Sequence, residues 1–306
     1  MPEGPVSEER VAEGSMPEGS MPVKRDLTVA NFAEKLSTAT HATGPLCLGV
    51  DPSSQLLDSW GIDDCVDGLR RFCDRSLEAF VGTVGVIKAQ VAFFERFGAR
   101  GIEVLESFIQ TARGSGVFVI ADAKRSDIAS SAEGYAQGWL DDDSPLCSDA
   151  LTVVAYMGLG ALSPIIDKSV SGGKGVFVVV RSSNPEGRSI QEATGTDGVS
   201  VEDRLLAEIA AFNGKIGLEL GPLGAVVGAT LKPSNFELSQ LKGVFLVPGI
   251  GAQGATFKDV EALFKSAPTG SVLPVVARSV LAEGPDVERL RAAAERARDE
   301  AIERLT

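Results

Sequence analysis

VFVIADAKRSDI, residues Val117 to Ile128, is the stretch on which the reading of the fold turns. An apolar run ends in three charged residues, Asp122, Lys124 and Asp127. Residues two apart on a strand share a face, so Asp122 and Lys124 project to the same side. Asp127 falls three residues later, where the chain should be leaving the strand. Charges at the mouth of a buried strand are costly unless they are paired or used. The stretch therefore predicts a strand whose C-terminal end carries chemistry.

Working outward, the same rhythm recurs. Short apolar runs at 45–50, 84–90, 117–124, 151–156, 175–181, 224–230, 245–248 and 272–278 predict eight strands. Helical periodicity lies between them at 64–81, 93–113, 128–140, from about Ser163-Pro164, at 201–213 and at 257–266, with a helix-like segment at 235–240. A short helix is expected at 31–37. In the last helix, 286–305, Val287, Leu290, Ala294, Ala297, Ala301 and Leu305 form one apolar stripe that should pack on the body.

Alternating strands and helices allow a closed barrel or an open doubly wound sheet. The polar residues separate the two. Asp51, Lys88, Asp122, Lys124, Ser182, Thr230, Gly249 and Arg278 all sit at or near strand C-terminal ends. Only a closed barrel brings all eight ends to one pocket. The expected architecture is a single (β/α)8 TIM barrel over residues 24–306. Residues 1–23, rich in Pro, Gly, Glu and Ser with EGSMP repeated, are expected to be a disordered tail or a remnant of expression, not a domain.

Composition narrows the function. The 306 residues carry a net charge of −13, which argues against a broad nucleic-acid surface but leaves room for one basic pocket. No apolar run approaches a membrane span, and no signal-peptide core is visible. The four cysteines are scattered without a C-x-x-C pair, as expected of a reduced, cytoplasmic protein. His41 is the one histidine and is expected in a loop before the first strand; a His-rich metal site is impossible.

Asp122, Lys124 and Asp127 could be surface charges after a strand. The alternative is an alternating charge network in which flanking carboxylates keep Lys124 protonated, ready to deliver a proton to carbon. Lys88 and Asp51, on neighbouring strands, would extend it. Gly249 to Gly254 after strand seven, with Gly251 and Gln253, and Arg278-Ser279 after strand eight occupy the usual phosphate corner of a barrel. Glycine lets backbone N–H groups approach an anion, and arginine offers a bidentate fork. Ser171 to Gly175 lacks phosphate-loop spacing and precedes a strand, so it reads as a tight turn. Asp141 to Asp143 and Asp63-Asp64 read as solvated helix-end charges, with Asp64 suited to a helix N-cap. Cys65 and Cys73, eight apart, read as packing residues of one helix.

Taken together, the motifs resemble one family. Asp122-x-Lys124-x-x-Asp127-Ile128 after an apolar strand resembles orotidine 5'-phosphate decarboxylase, in the bacterial branch found in mycobacteria and related organisms. The resemblance extends over LCLGVDPS at 46–53, IKAQVAFFE at 87–95, RSSNPEG at 181–187, VVGAT at 226–230, PGIGAQG at 248–254 and VARSVL at 276–281. D-x-K-x-x-D alone is shared with metal-dependent sugar-phosphate decarboxylases of the same superfamily; the full ordered set is more specific.

The resemblance implies decarboxylation of orotidine 5'-phosphate to uridine 5'-phosphate without metal or organic cofactor, in a homodimer of barrels. It implies that Asp122 and Lys124 lie against the scissile carboxylate and C6, with Lys124 protonating C6. Asp127 and Ile128 would be lent across the dimer, Asp51 and Lys88 would meet ribose hydroxyls, and Ser183 the pyrimidine. Gln253 and Arg278, with backbone N–H groups around Gly251 and Ser279, would hold the phosphate. Three positions depart from the family pattern. Ala89 and Ala155 stand where the branch has proline, and Ser126 where it has glycine. None removes a charge of the array, so activity is expected to survive.

Overall fold

A computed structural model of the chain describes residues 31–230, 237–251 and 253–306. Eight parallel strands close on themselves in sequence order: β1 (Cys47–Val50), β2 (Val86–Gln90), β3 (Phe118–Arg125), β4 (Ala150–Val153), β5 (Gly175–Arg181), β6 (Leu223–Val227), β7 (Phe245–Pro248) and β8 (Val272–Val276). β1 pairs with both β2 and β8, which completes the barrel. The open-sheet alternative is excluded.

Helix α1 (Phe32–His41) precedes the barrel. It starts at a reciprocal cap, Asn31 accepting from the Glu34 N–H while the Glu34 carboxylate accepts from the Asn31 N–H. Around the barrel run α2 (Val66–Phe80), α3 (Ala99–Gly114), α4 (Ala129–Leu140), α5 (Ser163–Gly172), α6 (Val201–Ile216), α7 (Phe257–Leu263) and α8 (Val287–Leu305). Among the described residues, the β6–β7 crossover holds only a 3-10 turn, Leu238–Leu241. The first two residues of the helix-like segment expected at 235–240 lie outside the described residues, as does the tail expected at 1–23.

Period-two alternation builds the barrel in layers. Cys47, Val86, Phe118, Ile120, Ala150, Phe177, Leu246, Leu273 and Val275 form one inner cluster. Phe32 and Leu36 of α1 join it from below. The Phe32 ring meets Phe118 and Phe177 edge-on, with centroids 5.9 and 6.1 Å away. Gly175 is required by that approach, since a Cβ there would lie 2.3 Å from the Phe32 ring. The next inward positions toward the C-terminal end are Lys88, Asp122 and Thr152. The charged layer thus stands directly on an apolar floor.

Several local expectations are corrected. The 93–113 helix is two, Ala92–Glu95 and α3, broken at Gly98 with φ 63°. His41 is the last residue of α1, not a loop residue. Cys65, not Asp64, is the N-cap residue of α2, without a side-chain capping bond; only Cys73 lies within the helix. Asp64 instead pairs with Arg96, which also donates to the Pro52 carbonyl and so ties the β1 loop to the β2 loop. Asp141 and Asp142 are not merely solvated. Asp141 binds Lys168 at 2.6 Å, and Asp142 binds the wholly buried Lys174 at 2.8 Å.

Candidate active site

The charged array is connected. Lys88 Nζ lies 2.7 Å from Asp122 Oδ2, and Lys124 Nζ lies 2.6 Å from Asp122 Oδ1. Lys88 also donates to Gln90 Oε1 at 3.3 Å and stands 4.0 Å from Asp51 Oδ1. Lys88 and Asp122 are buried, whereas the Lys124 side chain is 47% exposed and faces the mouth. One ammonium is locked into the barrel and the other is presented to whatever enters.

Burial pushes the Asp122 carboxyl up, but Lys88 and Lys124 override it and hold it well below the carboxylate range. Burial likewise disfavours charge on Lys88, and Asp122 and Asp51 reverse this, raising it above the usual lysine value. Asp51 is pushed up by burial against the pull of Lys88. Its Oδ1 is buried and has no hydrogen-bond partner among the described residues, so it is an acceptor waiting for a donor.

The signs set a stability prediction. Asp122, with its depressed folded pKa, stabilises above the unfolded value of about 3.9 and loses that contribution as pH falls toward the folded one. Lys88, raised, stabilises below about 10.4 and loses its contribution as pH rises through its folded value. Asp122→Asn leaves Lys88 buried without its closest counter-charge. Thermal unfolding should show a lowered Tm, with the gap to wild type widest between about pH 5 and 9 and shrinking below about pH 4.

At the opposite rim, Gly249 and Gly251 have φ of 116° and 75°, conformations a side chain would strain. A Cβ on Gly249 would meet Gln253 Oε1 at 2.9 Å, and one on Gly251 would meet Ser279 Oγ at 3.0 Å. The β7 loop is therefore folded onto the start of the Arg278–Leu281 helix, bringing Gly251, Gln253, Arg278 and Ser279 together. Arg278 is exposed, and its guanidinium makes no hydrogen bond or ion pair among the described residues. Ser183 leans on Gly228, where a Cβ would come within 3.1 Å of it. Gln191 closes that loop through the Ser182 N–H and hydroxyl.

Asp127 and Ile128 are not brought into the array within one chain. Asp127 Oδ1 accepts from the Ile128 N–H at 2.8 Å, and Ile128 is 55% exposed. Thr152 was not singled out by sequence. Its hydroxyl donates to Asp122 Oδ1 at 2.9 Å and accepts from the Lys124 N–H at 3.0 Å. The available signal was one hydroxyl residue in the otherwise apolar strand ALTV. Arg125 likewise stands outside the sequence-predicted set. It pairs with Glu95 and lies over the Tyr135 and Trp139 rings of α4, 5.6 Å from each centroid. Among the described residues, no group of three or more His, Cys, Asp or Glu side chains is arranged to hold a metal ion.

Residues 44–293 match the family model for orotidine 5'-phosphate decarboxylase / HUMPS. The chain belongs to that family. Membership makes it an enzyme, a carbon–carbon lyase. An orotidine 5'-phosphate decarboxylase of Streptomyces coelicolor is 49% identical over 267 residues, covering 87% of this chain and 95% of the relative. One of Corynebacterium glutamicum is 45% identical over 263 residues, covering 85% and 94%. A crystal structure from Streptomyces avermitilis, provisionally assigned the same activity, superposes with a TM-score of 0.86 at 46% identity, covering 90% of this chain and 96% of the other. Further similar proteins come from Salinispora arenicola, 47% identical over 266 residues, and Myxococcus xanthus, 43% identical over 268.

Proposed function

We propose that the chain converts orotidine 5'-phosphate to uridine 5'-phosphate and CO₂ without a metal, with Lys124 as proton donor. The observation that carries this reading is the half-exposed Lys124 ammonium, held 2.6 Å from Asp122 above an apolar floor. Breaking the C6–carboxylate bond leaves an electron pair at C6 that the pyrimidine ring stabilises poorly. A fixed ammonium stabilises that charge as it develops and then neutralises it, transferring a proton from Nζ to C6. The lysine regains its proton from water. Asp122 stands where it repels the departing carboxylate, a ground-state contribution secondary to the ammonium.

Asp51 and Lys88 supply an unsatisfied acceptor and a fixed donor for ribose hydroxyls. Ser183 faces the base. Gln253, Arg278 and the backbone at Gly251 and Ser279 take the phosphate, and binding energy gathered there holds C6 against Lys124. Arg278→Ala should therefore lower kcat/KM by about 10²-fold, through kcat as well as KM, in steady-state assays.

The working unit in this reading is a homodimer, with Asp127 and Ile128 lent to the partner's site. Ile128, Tyr156 and Met157, which are 55%, 81% and 46% exposed, offer apolar surface for such a contact beside the barrel mouth. The narrower placement beside mycobacterial members rests on the ordered motif blocks. In this reading the catalytic domain is residues 24–306, without the 1–23 tail. No described helix is long and apolar enough to cross a membrane.

The test is ultraviolet monitoring of orotidine 5'-phosphate loss with and without EDTA. Retained turnover in EDTA is expected. No turnover of the nucleotide, together with metal-dependent action on a keto-sugar phosphate, would replace this reading with the sugar-phosphate decarboxylase one. Nucleotide binding without turnover would leave a non-catalytic barrel.

A further inference from the structure

The β3–β4 ladder is interrupted at the site. Ala121 pairs with Leu151, but the next registered pair is Arg125 with Val153. Asp122, Ala123 and Lys124 thus stand opposite Thr152 alone. Such a bulge turns backbone groups out of the ladder and re-aims side chains. Here it also places Lys124 at φ 49°, a left-handed conformation that is unfavourable for a non-glycine residue. Lysine tolerates it only if the surroundings impose it.

Thr152 supplies the constraint. The Lys124 N–H, deprived of a strand carbonyl, donates to Thr152 Oγ1 at 3.0 Å, so a group that bulging would orphan is satisfied. The same hydroxyl donates its proton to Asp122 Oδ1 at 2.9 Å, the oxygen that also accepts from Lys124 Nζ at 2.6 Å. Thr152 is 1% exposed, inside the barrel. One hydroxyl therefore fixes both ends of Lys124: its backbone through the N–H and its ammonium through the carboxylate it shares.

We propose that Thr152 is the positioning residue for the proton donor, holding the bulged, left-handed Lys124 so that Nζ points at the reacting carbon. The inference rests on the decarboxylase reading and deepens it. Thr152 itself touches no substrate; it acts through Lys124 and Asp122. Valine keeps the shape and loses the hydroxyl, alanine loses both hydroxyl and methyl, and serine keeps the hydroxyl.

The experiment compares wild type, Thr152→Val, Thr152→Ala and Thr152→Ser for Tm, kcat and KM on orotidine 5'-phosphate, affinity for uridine 5'-phosphate, and exchange of the C6 hydrogen of uridine 5'-phosphate with D₂O. Thr152→Val and Thr152→Ala should each lose about 10–100-fold in kcat, with C6 exchange slowed in parallel. Product affinity should stay within about threefold, because ribose and phosphate contacts are untouched. Thr152→Ser should restore kcat to within a fewfold of wild type. The inference is overturned if valine and alanine variants keep kcat within about threefold, or if product affinity falls in step with kcat, which marks a general loosening of the barrel. Should the valine variant fail to fold, the alanine variant decides by the same criteria. A wild-type chain that does not turn over orotidine 5'-phosphate defeats the decarboxylase reading itself; active wild type with unaffected variants defeats only the role of Thr152.

Discussion

Lys124→Ala should lose at least about 10³-fold in kcat/KM while folding normally. Both halves follow from the geometry. The Lys124 side chain is half exposed, and its removal leaves Asp122 still bonded to Lys88 at 2.7 Å and to Thr152 at 2.9 Å. No buried charge is stranded, so Tm should move little. Lys88 cannot replace it as donor, because it is buried and held by Asp122 and Gln90. Ultraviolet loss of orotidine 5'-phosphate, alongside thermal melting, measures both. Turnover within tenfold of wild type would defeat the assignment of Lys124 as proton donor.

Co-assembly of Asp127→Ala chains with Lys124→Ala chains should restore activity that neither variant has alone. If Asp127 serves the partner's site, a mixed dimer holds one site with both lesions and one with neither. Random pairing of equal amounts then recovers about a quarter of the wild-type sites. The single-chain geometry motivates the experiment: Asp127 bonds its own Ile128 N–H and makes no ion pair with the Lys88–Asp122–Lys124 chain. A mixture as inactive as its components would mean that each chain uses its own Asp127. Subunit mixing verified by differently tagged chains makes that outcome decisive.

The strands were legible because each is a short apolar run ending in a polar residue. β5 and β7 were placed to the residue, and barrel closure followed from where the polar ends fall. Asp122 and Lys124 were legible for the same reason: alternation puts two charges on one face. Less was legible where a single backbone angle decides. Gly98 at φ 63° breaks a helix that periodicity alone runs through. The β3–β4 bulge was hidden because nothing in ADAKR announces a register shift; strict alternation juxtaposes Asp122 and Lys124 but does not show that Lys124 is left-handed or that Thr152 holds it. Lys174 belongs to a turn, as its glycine-rich surroundings predict, yet the turn carries its side chain inward to Asp142 and to the Cys147 thiol at 3.2 Å. Long-range pairs of this kind join residues about thirty apart, beyond any local pattern.

Phe32 and the aromatic row above it close the lower end of the barrel. Seen from the reaction, that stopper makes the barrel a blind vessel with one door. Gas and nucleotide must leave by the opening through which the nucleotide came in. In the proposed reaction, carbon dioxide formed at the charged layer has no rear exit and leaves by the same mouth as uridine 5'-phosphate. A plug laid down at Phe32, before the first strand of the barrel begins at Cys47, thus sets the traffic rule for the site it never touches.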